Sequence, residues 1–333
     1  ALNPVYTPGP LDIAAGSVEL CLTAHPVTPW CTDYSAPDCM TLTFQLLPTV
    51  DIEPNIVTIC ENSSYDFAGK VTYDLNKSTQ FWLPVASDGT FNDEYAEYPI
   101  FTPGANDLIS GHATLSVNVV PISPCDPNDF AVDFIDIYFQ KLPTANAGAE
   151  EATICENQTL QLSGTATEYD HLLWEADPDG TFDYDNSLTP VYTPGPNAIS
   201  AGAATLTFTA FAKSPCLVSG DARTDEILVT IQLLPVVDAG LTNGSVCEGD
   251  DYPLSGATAI NASTYLWDDG AGSGLFDNAT LLNPIYSPSL ADAGTTVTLC
   301  VTASPISPCA VSDTDCLDLW IQELPDVDAG SAS

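Results

Sequence analysis

The sequence predicts an all-β chain, a tandem array of immunoglobulin-like β-sandwich domains. Three observations point there. A set of phrases recurs with one period of roughly 90 to 95 residues, which suits one small domain. The recurring unit is rich in turn residues and in short runs that alternate apolar and polar side chains. Each complete unit carries one tryptophan at a fixed place, as the plug of a sandwich core would be.

The repeat is fixed by three independent markers. "TPVYTPGPNAISAG" begins at Thr189, and its relatives begin at Leu2, Tyr98 and Asn283, with the matching prolines at Pro8, Pro103, Pro194 and Pro288. A Leu-Pro step with an apolar-acidic tail recurs at Pro48, Pro143, Pro235 and Pro325. The phrases "TICENSS", "TICENQT" and "SVCEGDD" place cysteines at Cys60, Cys155 and Cys247. These markers divide the chain into the second half of a repeat (1–49), three full repeats (50–144, 145–236 and 237–326) and the start of another (327–333). On this reading the chain is a stretch of a longer array, and its ends ignore the domain boundaries.

Within a unit, strands are legible from period-two alternation. "ATLTFTAF" (204–211) and "DEILVTIQL" (225–233) are the clearest cases, and no stretch shows sustained helical spacing. The tryptophans Trp82, Trp174 and Trp267 are followed, across a polar turn, by Phe91, Phe182 and Phe276. That spacing reads as a hairpin with the tryptophan in the core. About seven strand patterns per unit, with turn signals every 8 to 12 residues, complete a sandwich.

Charge narrows the function classes. The chain has 45 acidic against five basic residues, a net charge of −40. Nucleic-acid phosphates and anionic membrane surfaces both demand the opposite sign. Such acidity keeps an array soluble and attracts divalent cations. No window reads as a membrane span or a signal peptide.

Eleven cysteines without C-x-x-C spacing indicate disulfides and an oxidising, extracellular compartment. The period suggests pairing the cysteine that opens each unit with the one in its Ser-Pro-Cys loop: Cys60–Cys125, Cys155–Cys216 and Cys247–Cys309. Each such loop of roughly 60 residues would stabilise its domain by about 4 kcal/mol in the chain-entropy model. The first and last copies carry a further pair on the outward face of consecutive strands, predicting Cys21–Cys39 and Cys300–Cys316 as cross-strand staples. Cys31 is left without a partner in the chain. Its expected partner precedes Ala1, on sequence that would also cover the half-domain's apolar face (Val18, Leu20, Leu22, Leu42, Phe44).

"TICENQTLQLSGTA", "LLWEADPDGTFDYDNSLTPVYTPGPNAISAG" and "LLPVVDAG" resemble the tandem PKD-like, immunoglobulin-type repeats of very large secreted surface proteins. Those repeats occur in gliding Gram-negative bacteria that export cargo through the type 9 secretion pathway. The resemblance covers essentially every residue of all copies. It implies a cell-surface adhesin or filament with a C-terminal sorting domain, which residues 1–333 do not include. One departure stands out: the unit's first cysteine precedes its tryptophan by too many residues for the inter-sheet bridge of antibody domains. It would instead tie the first strand to the loop between the last two.

The best candidate for chemistry is the acidic turn after the tryptophan. Asp177, Asp179, Asp183 and Asp185 offer the several oxygens that calcium takes, although the spacing is not that of an EF-hand. The alternative is that Asp-Gly simply makes a tight hairpin turn, and the sequence leaves both open. A weaker calcium alternative is the linker, with Asp51, Asp238 and Asp328, where the third copy has Asn146. His25, His112 and His171 occupy different places in their units and keep no repeated nucleophile or acid beside them, so no catalytic site is predicted.

These features predict the structural repeat region of a secreted, disulfide-stapled bacterial surface filament or adhesin stalk. It would require no cofactor, with calcium as a candidate ligand, and its partners would be adjacent copies of the array or abutting subunits. The alternatives are a module that binds polysaccharide or another surface, with glycans as partners and Trp30 and Trp320 as its only hints, and a spacer in a secreted multidomain enzyme.

Overall fold

A computed structural model describes residues 3–27, 30, 32–218, 220–328 and 330. Strand is the dominant element, and the helices are single short turns. Residues Ala1–Leu142 with Lys213–Ser219 form one compact unit, and Pro143–Ala212 with Gly220–Ser333 form the other.

The first unit opens with helix α1 (Pro10–Ala15), β1 (Ser17–Leu22) and β2 (Asp38–Thr43), an antiparallel pair in which Cys21 faces Cys39. The second repeat then adds β3 (Val50–Ile52), β4 (Ile56–Cys60), β5 (Tyr65–Asp66), β6 (Val71–Tyr73), β7 (Lys77–Ala86), β8 (Thr90–Phe91) and β9 (Ile100–Thr102). Helix α2 (Ala105–Ser110), β10 (His112–Pro121) and β11 (Ala131–Gln140) complete it. Its main sheet has the order β4-β11-β10-β7, with β5-β9-β8 and β3-β6 as smaller sheets. Every pairing in these sheets is antiparallel except β4 with β11, which is parallel and sets Cys60 opposite Gln140.

The same order returns twice. The third repeat aligns Glu151–Cys155, Arg223–Gln232, Ala203–Ala212 and Tyr169–Asp177, and the fourth aligns Asn243–Cys247, Asp313–Gln322, Thr296–Pro305 and Ala262–Asp268. Alternation explains the layers: along Ala203–Ala212 the side chains of Ala204, Leu206, Phe208 and Ala210 point into the core, as the two-residue period requires.

The tryptophans hold the centre of each core. Trp82, Trp174 and Trp267 are buried, against Phe67, Phe208 and Phe276 respectively. The Trp174 and Trp267 indoles donate to the carbonyls of Ser187 and Leu282 at 3.0 and 3.1 Å. Trp82 has no acceptor in hydrogen-bond geometry, although its indole lies close enough to the Tyr73 hydroxyl to favour the phenolate slightly. Burial, then the charges of Glu97 and Tyr98, outweigh that and hold the Tyr73 hydroxyl well above the usual phenol range.

Short helices are the element that periodicity does not reveal. In the third repeat, α3 (Pro196–Ala201) begins after Gly195 and ends at Gly202, whose φ of +74° favours glycine. Its N-terminal N–H groups are capped from a distance. The Asp179 carboxylate accepts from Asn197 and Ala198 at 3.1 and 2.8 Å, and Asp88 accepts from Asn106 and Asp107 in the second repeat. A Cβ on Gly195 would lie 2.2 Å from the Asp179 carboxyl carbon, so the Asp-Gly turn and the Thr-Pro-Gly phrase are two halves of one bonded structure.

Candidate functional site: the inter-repeat cysteine staples

The site grows out of the parallel pairing at the end of the main sheet. Cys60, Cys155 and Cys247 close the first strands and stand opposite Gln140, Gln232 and Gln322 on the last strands. The next residue, Glu, then uses both of its ends. The N–H groups of Glu61, Glu156 and Glu248 donate to those glutamine carbonyls at 3.0, 3.0 and 2.8 Å. The carboxylates of Glu61 and Glu248 accept from Leu142 and Leu324, the leucines of the Leu-Pro step. The Cys-Glu and Leu-Pro markers recur together because they are bonded together.

A loop from the following repeat arrives at the same place. Each Ser-Pro-Cys loop has a cis Ser-Pro bond and is closed by the cysteine N–H, which Cys125, Cys216 and Cys309 donate to Ile122, Lys213 and Ile306. The Cys216 sulfur sits 3.3 Å from the Gln140 carbonyl, and the Cys309 sulfur 3.2 Å from that of Gln232. There they meet the first-strand cysteines. Cys60 is bonded to Cys216 and Cys155 to Cys309, both with Cα atoms 4.9 Å apart, and all four cysteines are buried. The first disulfide lies within one compact unit and the second within the other.

This corrects the pairing expected from the period. Cys60 does not bond Cys125, Cys155 does not bond Cys216, and Cys247 does not bond Cys309; Cys125 and Cys247 are free thiols. The reason is geometric. Cys60 pairs with the end of β11, while Cys125 lies before its start, so the two are separated by the strand's length of roughly 30 Å. A disulfide needs Cα atoms within about 7 Å. A parallel first strand ends where the chain leaves its domain, which is where the next domain's loop is found.

The outer staples are present as cross-strand disulfides. Cys21 is bonded to Cys39 and Cys300 to Cys316, each pair in direct register on its antiparallel strands. Cys31 lies outside the described residues.

The acidic turns are hydrogen-bonded into the fold. Asp183 accepts from Tyr184 and Val191, as Asp277 does from Asn278 and Ile285. Asp185 contributes its carbonyl to the Trp174 N–H, and Asp177 ends a strand before a cis proline. Asp177, Asp179, Asp183 and Asp185 do not gather their carboxylates into one cluster. Among the described residues, the one group of three metal-ligand side chains within 4.8 Å is Glu19, Cys21 and Cys39, and its cysteines are the disulfide pair. In the linkers, Asn146, Asp238 and Asp328 each accept the N–H of the glycine two residues on.

One repeated role was missed in the sequence. The third residue of each last strand, Asp133, Asp225 or Asp315, accepts a linker N–H from Ile52, Ala147 or Ala239 at 2.7, 2.8 and 2.8 Å. Its constant place in the strand was the available signal. The histidines have local partners: His25 meets Tyr34 edge-on, His112 reaches Asp136 at 3.1 Å, and His171 stacks on Phe211. Trp30 and Trp320 are both exposed, one in each compact unit.

No protein-family model and no curated protein matches the chain. Solved structures similar to it include cadherin-type ectodomain repeats. Mouse cadherin-23 EC22–24 has a TM-score of 0.42 at 14% identity, over 84% of this chain and 99% of that one. The protocadherin γB4 extracellular domain has 0.45 at 11%, over 95% of this chain and 56% of that one, and mouse protocadherin-24 EC1–3 has 0.42 at 10%, over 82% and 98%. The likeness is one of fold.

Among the described residues, no helix is long and apolar enough to cross a membrane. The four disulfides among the described residues fit an oxidising, extracellular compartment.

Proposed function

We propose that residues 1–333 belong to the structural repeat region of a cell-surface filament or adhesin stalk of the bacterial type their phrases resemble. The observation that carries this reading is the pair of disulfides Cys60–Cys216 and Cys155–Cys309. Each bonds a strand of one repeat to a loop of the next, in addition to the Leu-Pro linker. A chain of domains joined only by linkers extends fully once its domains unfold. One bonded from repeat to repeat cannot, because the two overlapping staples shorten the covalent path from Cys60 to Cys309 to the stretch between Cys155 and Cys216. A sandwich that opens in such a chain therefore releases little length under tension, which is what a surface structure under pull needs. The acidic coat adds solubility.

Single-molecule stretching tests the mechanical claim. The oxidised chain is expected to reach a much shorter full extension than the reduced chain, with 156 and 154 residues of sequence separation spanned by the two staples. Equal extension in both states overturns it. Antibody labelling of intact cells tests the location, and a chain reached only after cell lysis removes the surface reading.

A further inference from the structure

We propose that the outer face of the second repeat's main sheet binds an uncharged polysaccharide. Strand parity sets which side chains form that face. Val117 and Val119 of β10 point into the core, so Ser116 and Asn118 point outward. Ser116 stands between Leu83 of β7 and Phe134 of β11, and Asn118 between Phe81 and Val132. Leu83 and Phe134 are 42% and 50% exposed.

The other repeats do not share this face. At the same places the third repeat sets Thr207 between Glu175 and Glu226, and Thr209 between Leu173 and Thr224. The fourth sets Cys300 between Asp268 and Cys316, and Thr302 between Leu266 and Thr314. The second repeat thus has apolar side chains where the third has carboxylates. Neighbouring repeats do not cover these positions. The third repeat lies between two complete repeats in the chain, and its Glu175, Thr224 and Glu226 are all exposed.

Charge selects the partner. The net charge of −40 repels a second copy, a nucleic acid or an anionic lipid surface. A cation would be drawn instead to the carboxylates of the other repeats, since the rows through Ser116 and Asn118 have none. The next outward residue of β11, Asp136, is held by Thr114 and His112 at 2.7 and 3.1 Å. An uncharged partner remains, and it is not a plain hydrocarbon, because the face has a polar centre. Ser116 and Asn118 are 3% and 5% exposed, and the Asn118 amide donates to the Ser116 hydroxyl at 3.3 Å. Among the described residues that is the one side-chain hydrogen bond of either, which leaves the amide oxygen and the serine proton for a ligand. A pyranose meets both demands, with C–H bonds across its face for Leu83 and Phe134 and hydroxyls at its edge for Asn118 and Ser116. Apolar surface with a few placed polar groups is the usual make-up of a ligand site.

The test is an array of neutral, sulfated and uronic-acid glycans, probed with the full chain and with the double variant Leu83→Glu, Phe134→Glu. The third repeat carries glutamate at both equivalent places, so the fold accommodates the change, and thermal unfolding of the variant checks that it does. Neutral glycans are expected to hold the chain and acidic ones to release it. The variant should bind roughly tenfold less, because its carboxylates must be desolvated against the sugar. Asn118→Thr, the residue of the third and fourth repeats, should also weaken binding. No neutral glycan bound, or equal binding by the double variant, overturns the proposal. Uncharged peptides on the same array give another outcome: a chain held there and on no glycan assigns the face to a protein partner instead. A dimer seen in sedimentation and lost in the double variant would mean that a second copy covers the face, and also overturns it. Stretching reads the staples and the array reads this face, so the two readings fail separately.

Discussion

The Asp179 carboxylate accepts the N–H of Ala198 at 2.8 Å, 19 residues away in sequence, and so caps a helix from the tip of another hairpin. The acidic turn that reads as a calcium ligand set is satisfied here by backbone donors. Asp179→Ala should therefore destabilise the third repeat by about 1 kcal/mol, the usual cost of a lost helix cap. Thermal unfolding of both proteins in excess calcium and in chelator checks this. The loss should be the same in both, and a loss confined to calcium would restore the ion-site reading.

Asp88 makes the corresponding cap in the second repeat, and its effect should depend on pH. The N–H of Asn106, followed by that of Asp107 and the Asn106 amide, holds the Asp88 carboxyl below its ordinary value. A carboxylate with a lowered folded pKa contributes stability that is present above the unfolded value, near 4, and disappears as pH falls through the folded value. Carbon-13 NMR titration of Asp88 should give a midpoint below that of a free aspartate. An ordinary or raised midpoint would refute the capping account.

The three tryptophans should differ in what their N–H groups are worth. Trp174 and Trp267 donate to carbonyls, while Trp82 finds no acceptor in bonding geometry. Replacing any of them with alanine should cost about 3 to 5 kcal/mol through the cavity left behind. With phenylalanine the order separates: Trp174→Phe also strands the Ser187 carbonyl, so it should cost about 1 kcal/mol more than Trp82→Phe. Denaturant unfolding of the two variants decides it, and a larger loss at Trp82 would contradict the assignment.

The all-β class was legible because alternation and a strict period are local properties of the chain. So were the outward staples Cys21–Cys39 and Cys300–Cys316, since side-chain parity along a strand tells which cysteines face the same way. The partners of Cys60 and Cys155 were not legible on the same terms. A period finds the same residue in each copy, but it does not say which end of a sheet that residue occupies. That depends on the parallel pairing of β4 with β11, which is non-local. The cap that Asp179 provides was not legible for a related reason: its donors lie 18 and 19 residues on, at a helix too short to give a periodic signal.

The geometry of the staples makes its own prediction about which cysteines can substitute for one another. In Cys216→Ser, Cys60 loses its partner, and the nearest candidate by the repeat's logic is Cys125. The two are held apart by the length of β11, roughly 30 Å, far beyond the reach of a disulfide. Non-reducing peptide mapping of Cys216→Ser should therefore show Cys60 and Cys125 both free, with Cys155–Cys309 retained. Cys125→Ser should leave Cys60–Cys216 untouched. The lost staple should also lower stability by about 2 to 5 kcal/mol, as removal of a native disulfide commonly does, and this is read as a fall in the denaturant midpoint of the first compact unit. A Cys60–Cys125 peptide recovered from folded Cys216→Ser would mean that the loop and the first strand of one repeat can meet, and the repeat-to-repeat assignment would fail with it.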